Sequence, residues 1–201
     1  MRLLFAVLSF QIKKLIQKGI FMQTKSLREI ILSGLFIASG LILPGIFHVY
    51  GMGSTFSPMH IPVLLAGFFL SIPYAIAVGA LTPFLSSVFT GMPPIFPIMP
   101  YMVFELATYG TIASLLYRKL KVNVYIALIG SMIAGRIVAG FAVWVLATFF
   151  AAKLPGPIIF ISGAVTNGIP GIVLQLVFIP ALVMLLNRYN IVRRDGIRHK
   201  P

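Results

Sequence analysis

The chain has no cysteine and only three acidic residues among its 201. Lack of cysteine excludes disulfides, thiolate metal sites and a cysteine nucleophile. Scarcity of carboxylates leaves little material for paired acid and base chemistry. No G-x-x-x-x-G-K-[ST] phosphate loop is present, so the chain has no standard means of using ATP. An H-E-x-x-H metal motif is missing as well, and no serine or histidine stands in a recognisable nucleophile context. These absences point away from an enzyme, and no cofactor or metal is expected on this chain.

Charge of either sign is also rare. Charged residues make up 9% of the sequence and apolar residues 59%, against roughly 25% charged residues in a soluble domain. The mean hydropathy is +1.04. Water is therefore not the solvent for most of this chain, and an all-α integral membrane protein is expected. Its length suits one bundle of about six helices, because each crossing takes about 20 residues.

The net charge of +13 would suggest nucleic acid in a soluble protein, but its distribution argues against that. Of 16 Lys and Arg residues, six lie at positions 2–28, three at 118–121 and five at 188–200. Only Arg136 and Lys153 fall elsewhere. Basic blocks beside apolar spans mark the cytoplasmic side of a membrane and its anionic lipid. No nucleic-acid partner is expected.

Proline, glycine and charge clusters place six spans at about 27–43, 59–70, 73–89, 97–117, 122–151 and 158–186. The second is too short to cross a core of about 30 Å at about 1.5 Å per residue, so it must sit against protein or line a cavity. Six spans put both termini on one side, and the basic blocks make that side cytoplasmic. Residues 22–188 form the expected membrane domain and 189–201 a basic cytoplasmic tail. Residues 1–21 run from apolar to charged, the reverse of a signal peptide. They are expected to be an N-terminal extension, either a mis-assigned upstream start or an interfacial amphipathic helix.

Between Glu29 and Arg118 the one formal charge is Glu105. A charge at the bilayer centre costs roughly 2.5–3.5 kcal/mol on insertion scales, so a carboxylate kept there is a functional candidate by default. Tyr101 and Tyr109 stand four residues to either side and share its helix face. Arg136, in Ala134-Gly135-Arg136, needs an anionic partner, carbonyls or water. A structural pair with Glu105 and an anion site are both open to it.

On the sixth span Asn167 and Gln175 are expected to share a face, with a local helix break at Gly168, Pro170 and Gly171 that exposes carbonyls to a cavity. His60, at the outer mouth of the second span, can reach the same pocket. For Asn167 and Gln175 the alternative is helix-to-helix hydrogen bonding, and for His60 a capping or interfacial role. The segment 45–58, with Gly51, Gly53 and Ser54, is a candidate lid. Gly34 and Ala38 on the first span form a small-x-x-x-small pair suited either to a foreign helix or to packing within the bundle.

Three strings carry a resemblance: PMHIPVLLAG at 58–67, LTPFLSSVFTGMPP at 81–94 and FELATYG at 104–110. With six spans and a short second helix, the chain resembles the substrate-binding S components of energy-coupling factor transporters, over residues 22–188. The resemblance implies a plasma-membrane subunit that captures a vitamin or vitamin precursor from outside. It implies partners too, a transmembrane coupling subunit and two cytoplasmic ATPases that supply the hydrolysis. Gly34-Leu35-Phe36-Ile37-Ala38 matches the family's A-x-x-x-A coupling surface, with glycine at its first position. The 45–58 loop matches the family's ligand cover.

Glu105 with Tyr101, Tyr109 and Trp144 favours a small nitrogen heterocycle, of the pyridoxine, hydroxymethylpyrimidine or benzimidazole kind. Arg136 would favour an anion such as pantothenate. A membrane scaffold with purely structural polar groups is the alternative from another class.

Overall fold

A computed structural model describes residues 26–47, 51, 56–152 and 154–188. Every regular element among them is helical: α1 (Ser26–Phe47), α2 (His60–Phe69), α3 (Ile72–Thr90), α4 (Ile98–Ala113), α5 (Val124–Phe149) and α6 (Pro157–Arg188). Past Ala113, α4 continues as a π-helical segment, Ser114–Lys119. By length and composition α1, α3, α5 and α6 are able to cross a membrane. Residues 1–21, 53–54 and the tail beyond 188 lie outside the described residues.

All ten residues of α2 are buried. A helix apolar on every face has no solvent side to present and belongs inside a bundle. It packs on α3, α4 and α6 and occupies the centre of the molecule. Its final carbonyls need donors, and Ser114 supplies one from Oγ to Leu70 O at 2.8 Å.

Packing around α2 depends on small residues. A Cβ on Gly79 of α3 would strike the backbone of Leu106 and Ala107 in α4. One on Gly110 of α4 would lie 2.6 Å from Ala75 O in α3, and one on Gly67 of α2 would lie 2.6 Å from the Ala113 Cβ. Helices surrounded by lipid gain little from excluding apolar surface, so close backbone approach and dispersion must hold them together. At the start of α5 the Asn123 side chain caps the helix, accepting from Tyr125 N at 3.0 Å.

The expected break in α6 is absent. The helix runs without interruption from Pro157 to Arg188, through Pro170 and Pro180. A proline removes one backbone donor, whereas an unwound segment within an apolar layer would strand several groups at once. Continuing the helix is the lesser cost.

Glu29, in the polar flank of the first span, is buried near the start of α1. Its Oε2 accepts from both the hydroxyl and the backbone N–H of Ser71, the latter at 3.2 Å. Its Oε1 lies 3.5 Å from Arg118 Nη1. Ser71 is the N-cap of α3, so the carboxylate sits at a helix N-terminus, where negative charge is favoured. Ser26 and Tyr74 share a hydroxyl bond of 2.8 Å beside it. Asn187 near the end of α6 donates to Tyr117 Oη at 2.7 Å. The start of α1, the end of α4 and the end of α6 therefore meet at one end of the bundle.

Glu29→Ala, which strips both Ser71 donors of their acceptor, is expected to destabilise the protein by about 1–3 kcal/mol. Thermal unfolding of the purified chain in detergent checks this, with Ser26→Ala as a milder control at the neighbouring bond.

Candidate functional site

At the opposite end of the bundle lies a cavity of about 530 Å³. Its walls come from Pro44 near the end of α1, from His60, from the α3–α4 loop through Met92, Pro93 and Pro94, and from Tyr101, Met102 and Glu105 of α4. Arg136 of α5 and the stretch of α6 from Ile159 to Gly168 complete it. A volume of this size is typical of sites for small organic ligands, as is a mostly apolar lining with few polar groups.

Glu105 is the centre of the polar floor and is 2% exposed. Its Oε1 lies 2.7 Å from Arg136 Nη1 and accepts the Tyr109 hydroxyl at 2.8 Å. His60 Nε2 lies 3.7 Å from the same oxygen, beyond hydrogen-bond length. The helical spacing of four residues sets Tyr109 against Glu105. Gly135 makes the α5 contact possible, because a Cβ there would collide with the Tyr109 ring. The next residue is Arg136, which the close approach delivers to the carboxylate.

At an effective dielectric of about 20, two unit charges about 4 Å apart attract by about 4 kcal/mol, enough to hold this pair together where the arginine side chain is only 18% exposed.

The side walls are aromatic and proline-rich. Tyr101 meets Phe160 of α6 edge to face, with centroids 5.0 Å apart, and the His60 and Tyr109 rings tilt together at 5.4 Å. The α3–α4 loop is tied back onto its own helix by hydroxyls. Ser86 Oγ donates to Met92 O and Ser87 Oγ to Pro93 O, each at 2.6 Å. Thr90 Oγ1 donates to Ser86 O at 2.7 Å. Gly91, with φ of 71°, ends α3 in the left-handed conformation that glycine adopts without strain. Below the loop, Met99 N donates to Pro94 O at 3.0 Å.

Five of the residues expected at the site line the cavity: Glu105, Tyr101, Arg136, Asn167 and His60. Tyr109 is buried beneath Glu105 and donates its hydroxyl to it. Two others are elsewhere. Trp144 packs with Phe141 and Phe149 and is 44% exposed, away from the cavity. Gln175 is buried deeper along α6 than the wall. Both stand eight residues from a wall residue, and eight residues turn a helix by two turns plus about 80°. For Gln175 that offset, with a rise of about 12 Å, breaks the face expected with Asn167.

Gly51 is exposed with a φ of 69°, and Gly34 and Ala38 are exposed on α1. The hydroxyls Ser86, Ser87 and Thr90 were missed by sequence reasoning. Their signal is the Ser-Ser-x-x-Thr-Gly run directly before Met92 and two prolines. Phe160 gave no signal, being one of 17 phenylalanines.

The family model for the substrate-specific component of ECF transporters matches residues 28–183. The chain belongs to that family. The matched stretch includes every residue of the cavity and of the ion pair. No curated protein and no solved structure matches the chain. As a substrate-specific component it is a multi-pass membrane protein and a transport subunit, and the family associates with coupling and ATPase subunits.

Arg136→Ala strands Glu105 in the apolar floor and is expected to cost about 3 kcal/mol of stability, whereas the double change Glu105→Gln with Arg136→Gln should recover most of that loss. Thermal unfolding of the two variants beside the parent measures both effects.

Proposed function

We propose that this substrate-specific component captures a small, uncharged nitrogen heterocycle of the vitamin or vitamin-precursor class from outside the cell. The cavity is proposed to face outward. Supporting this orientation, Arg28 of α1, Arg118 at the end of α4 and Arg188 of α6 stand toward the other end of the bundle, and basic residues favour the cytoplasmic side of a membrane. All six helices are then spans of a plasma-membrane bundle, with α2 enclosed by the rest and both termini inside.

The observation that carries the ligand class is the Glu105–Arg136 pair at 2.7 Å. With its charges compensated internally, the floor offers an anion the repulsion of Glu105 along with the attraction of Arg136, and offers a cation the reverse. A pantothenate-type carboxylate would have to prise Arg136 from its partner. A neutral pyridine, pyrimidine or benzimidazole ring instead fits between Tyr101, Phe160 and the proline loop, with Asn167 and the polar floor to orient it. Tyr101, Glu105, Arg136, Asn167 and His60 are the proposed contacts, with Tyr109 as a positioning residue.

Uptake is proposed to follow when the loaded subunit joins its coupling subunit and two cytoplasmic ATPases, which spend the ATP. Gly34 and Ala38 on the exposed face of α1 are the proposed contact for the coupling subunit, and the loop containing Gly51 the proposed cover of the cavity.

Native mass spectrometry of gently purified protein should find a heterocycle of vitamin size retained; a preparation that holds no ligand and binds none from a vitamin panel would favour a scaffold. Glu105→Gln is expected to weaken ligand binding by about 1.5–3 kcal/mol, measured by calorimetry. Ala38→Trp should leave ligand binding intact and abolish uptake by the assembled transporter, and loss of binding in that variant would mean that Ala38 packs internally.

A further inference from the structure

His60 opens α2 on the cavity wall, and its side chain is only 7% exposed. Among the described residues neither ring nitrogen has a hydrogen-bond partner. A buried imidazole without partners is unusual, because losing water uncompensated is unfavourable for each nitrogen. Glu105 Oε1 lies 3.7 Å from Nε2, too long for a direct bond.

One atom placed within hydrogen-bond distance of Nε2 and of the Glu105 carboxylate would close that gap. It would have to donate to the carboxylate. It would also have to accept from Nε2–H, the tautomer favoured beside a carboxylate. A hydroxyl does both. A carboxylate or phosphate has no proton to give and meets the charge of Glu105, an ammonium has no lone pair, and an aromatic amine is a poor acceptor.

We propose that the substrate is recognised through a hydroxyl that bridges His60 Nε2 and Glu105, so that its class is a neutral ring compound bearing a hydroxyl or hydroxymethyl arm. The proposal rests on the capture reading above and adds the group by which the ligand is selected. His60 is then the residue that separates hydroxylated rings from their methyl analogues, a discrimination that sites with unpaired polar groups make steeply.

The test is a protein-by-ligand cycle on the full chain in detergent, measured by calorimetry. The probes are 4-amino-5-hydroxymethyl-2-methylpyrimidine with its 4-amino-2,5-dimethyl analogue, and pyridoxine with 2,4,5-trimethylpyridine, which carries no hydroxyl. The parent should bind the hydroxylated member of one pair at least tenfold more tightly. His60→Ala should reduce that member to the level of its methyl analogue and leave the analogue unaffected, while His60→Gln, which keeps a donor, should restore part of the preference.

Equal binding of both members by the parent would overturn the proposal and leave capture standing. So would a His60→Ala variant that stays folded by thermal unfolding and weakens both members alike. Binding of none of these rings would overturn the proposal together with the heterocycle class.

Discussion

One buried ion pair organises the cavity. Glu105 and Arg136 come from different helices, and each would be intolerable in the apolar interior without the other. Their contact fixes how far α4 and α5 rotate about their axes, because a turn of either would separate charges that nothing else nearby compensates as closely. The tyrosine beneath and the glycine opposite are adjustments to that requirement. Gly135 has no side chain because the Tyr109 ring fills its place, and Tyr109 is there because it donates to the carboxylate. A run of local choices in two distant segments thus follows from a single electrostatic constraint.

The rest of the bundle is held differently. Contacts of α2, α3 and α4 at Gly67, Gly79 and Gly110 allow backbones to touch, and the gain there is dispersion spread over many atoms. Hydroxyls then secure the points where helices end: Ser114 on the last turn of α2, and Ser86 and Ser87 on the loop beyond α3. In an apolar medium a free carbonyl is expensive, so serine and threonine do here what water does at the ends of helices in soluble proteins.

Much of this was legible from residues alone. The six helices begin and end within a few residues of the proline, glycine and charge signals, because in lipid those are the residues that a helix can least carry through. Glu105 stood out because it is the one charge between Glu29 and Arg118. Glu29 did not, since it adjoins a basic flank and a sequence shows no difference between a solvated carboxylate and one turned inward onto Ser71. Gln175 was set on the face of Asn167 by treating eight residues as two whole turns, and Trp144 was grouped with the tyrosines with no spacing to place it. The expected break in α6 failed for a related reason: Pro170 and its glycines signal weak helix, but the surroundings decide whether weakness becomes rupture.

The central helix α2 has His60 at the cavity and ends beside Ser71, to which the first turn of α1 is fastened through Glu29. Enclosed on every face, such a rod has no free side toward which to bend without opening a void. It shifts as one piece or not at all. A length of about 15 Å therefore separates the cavity end of the molecule from the root of α1, with no flexible joint between them.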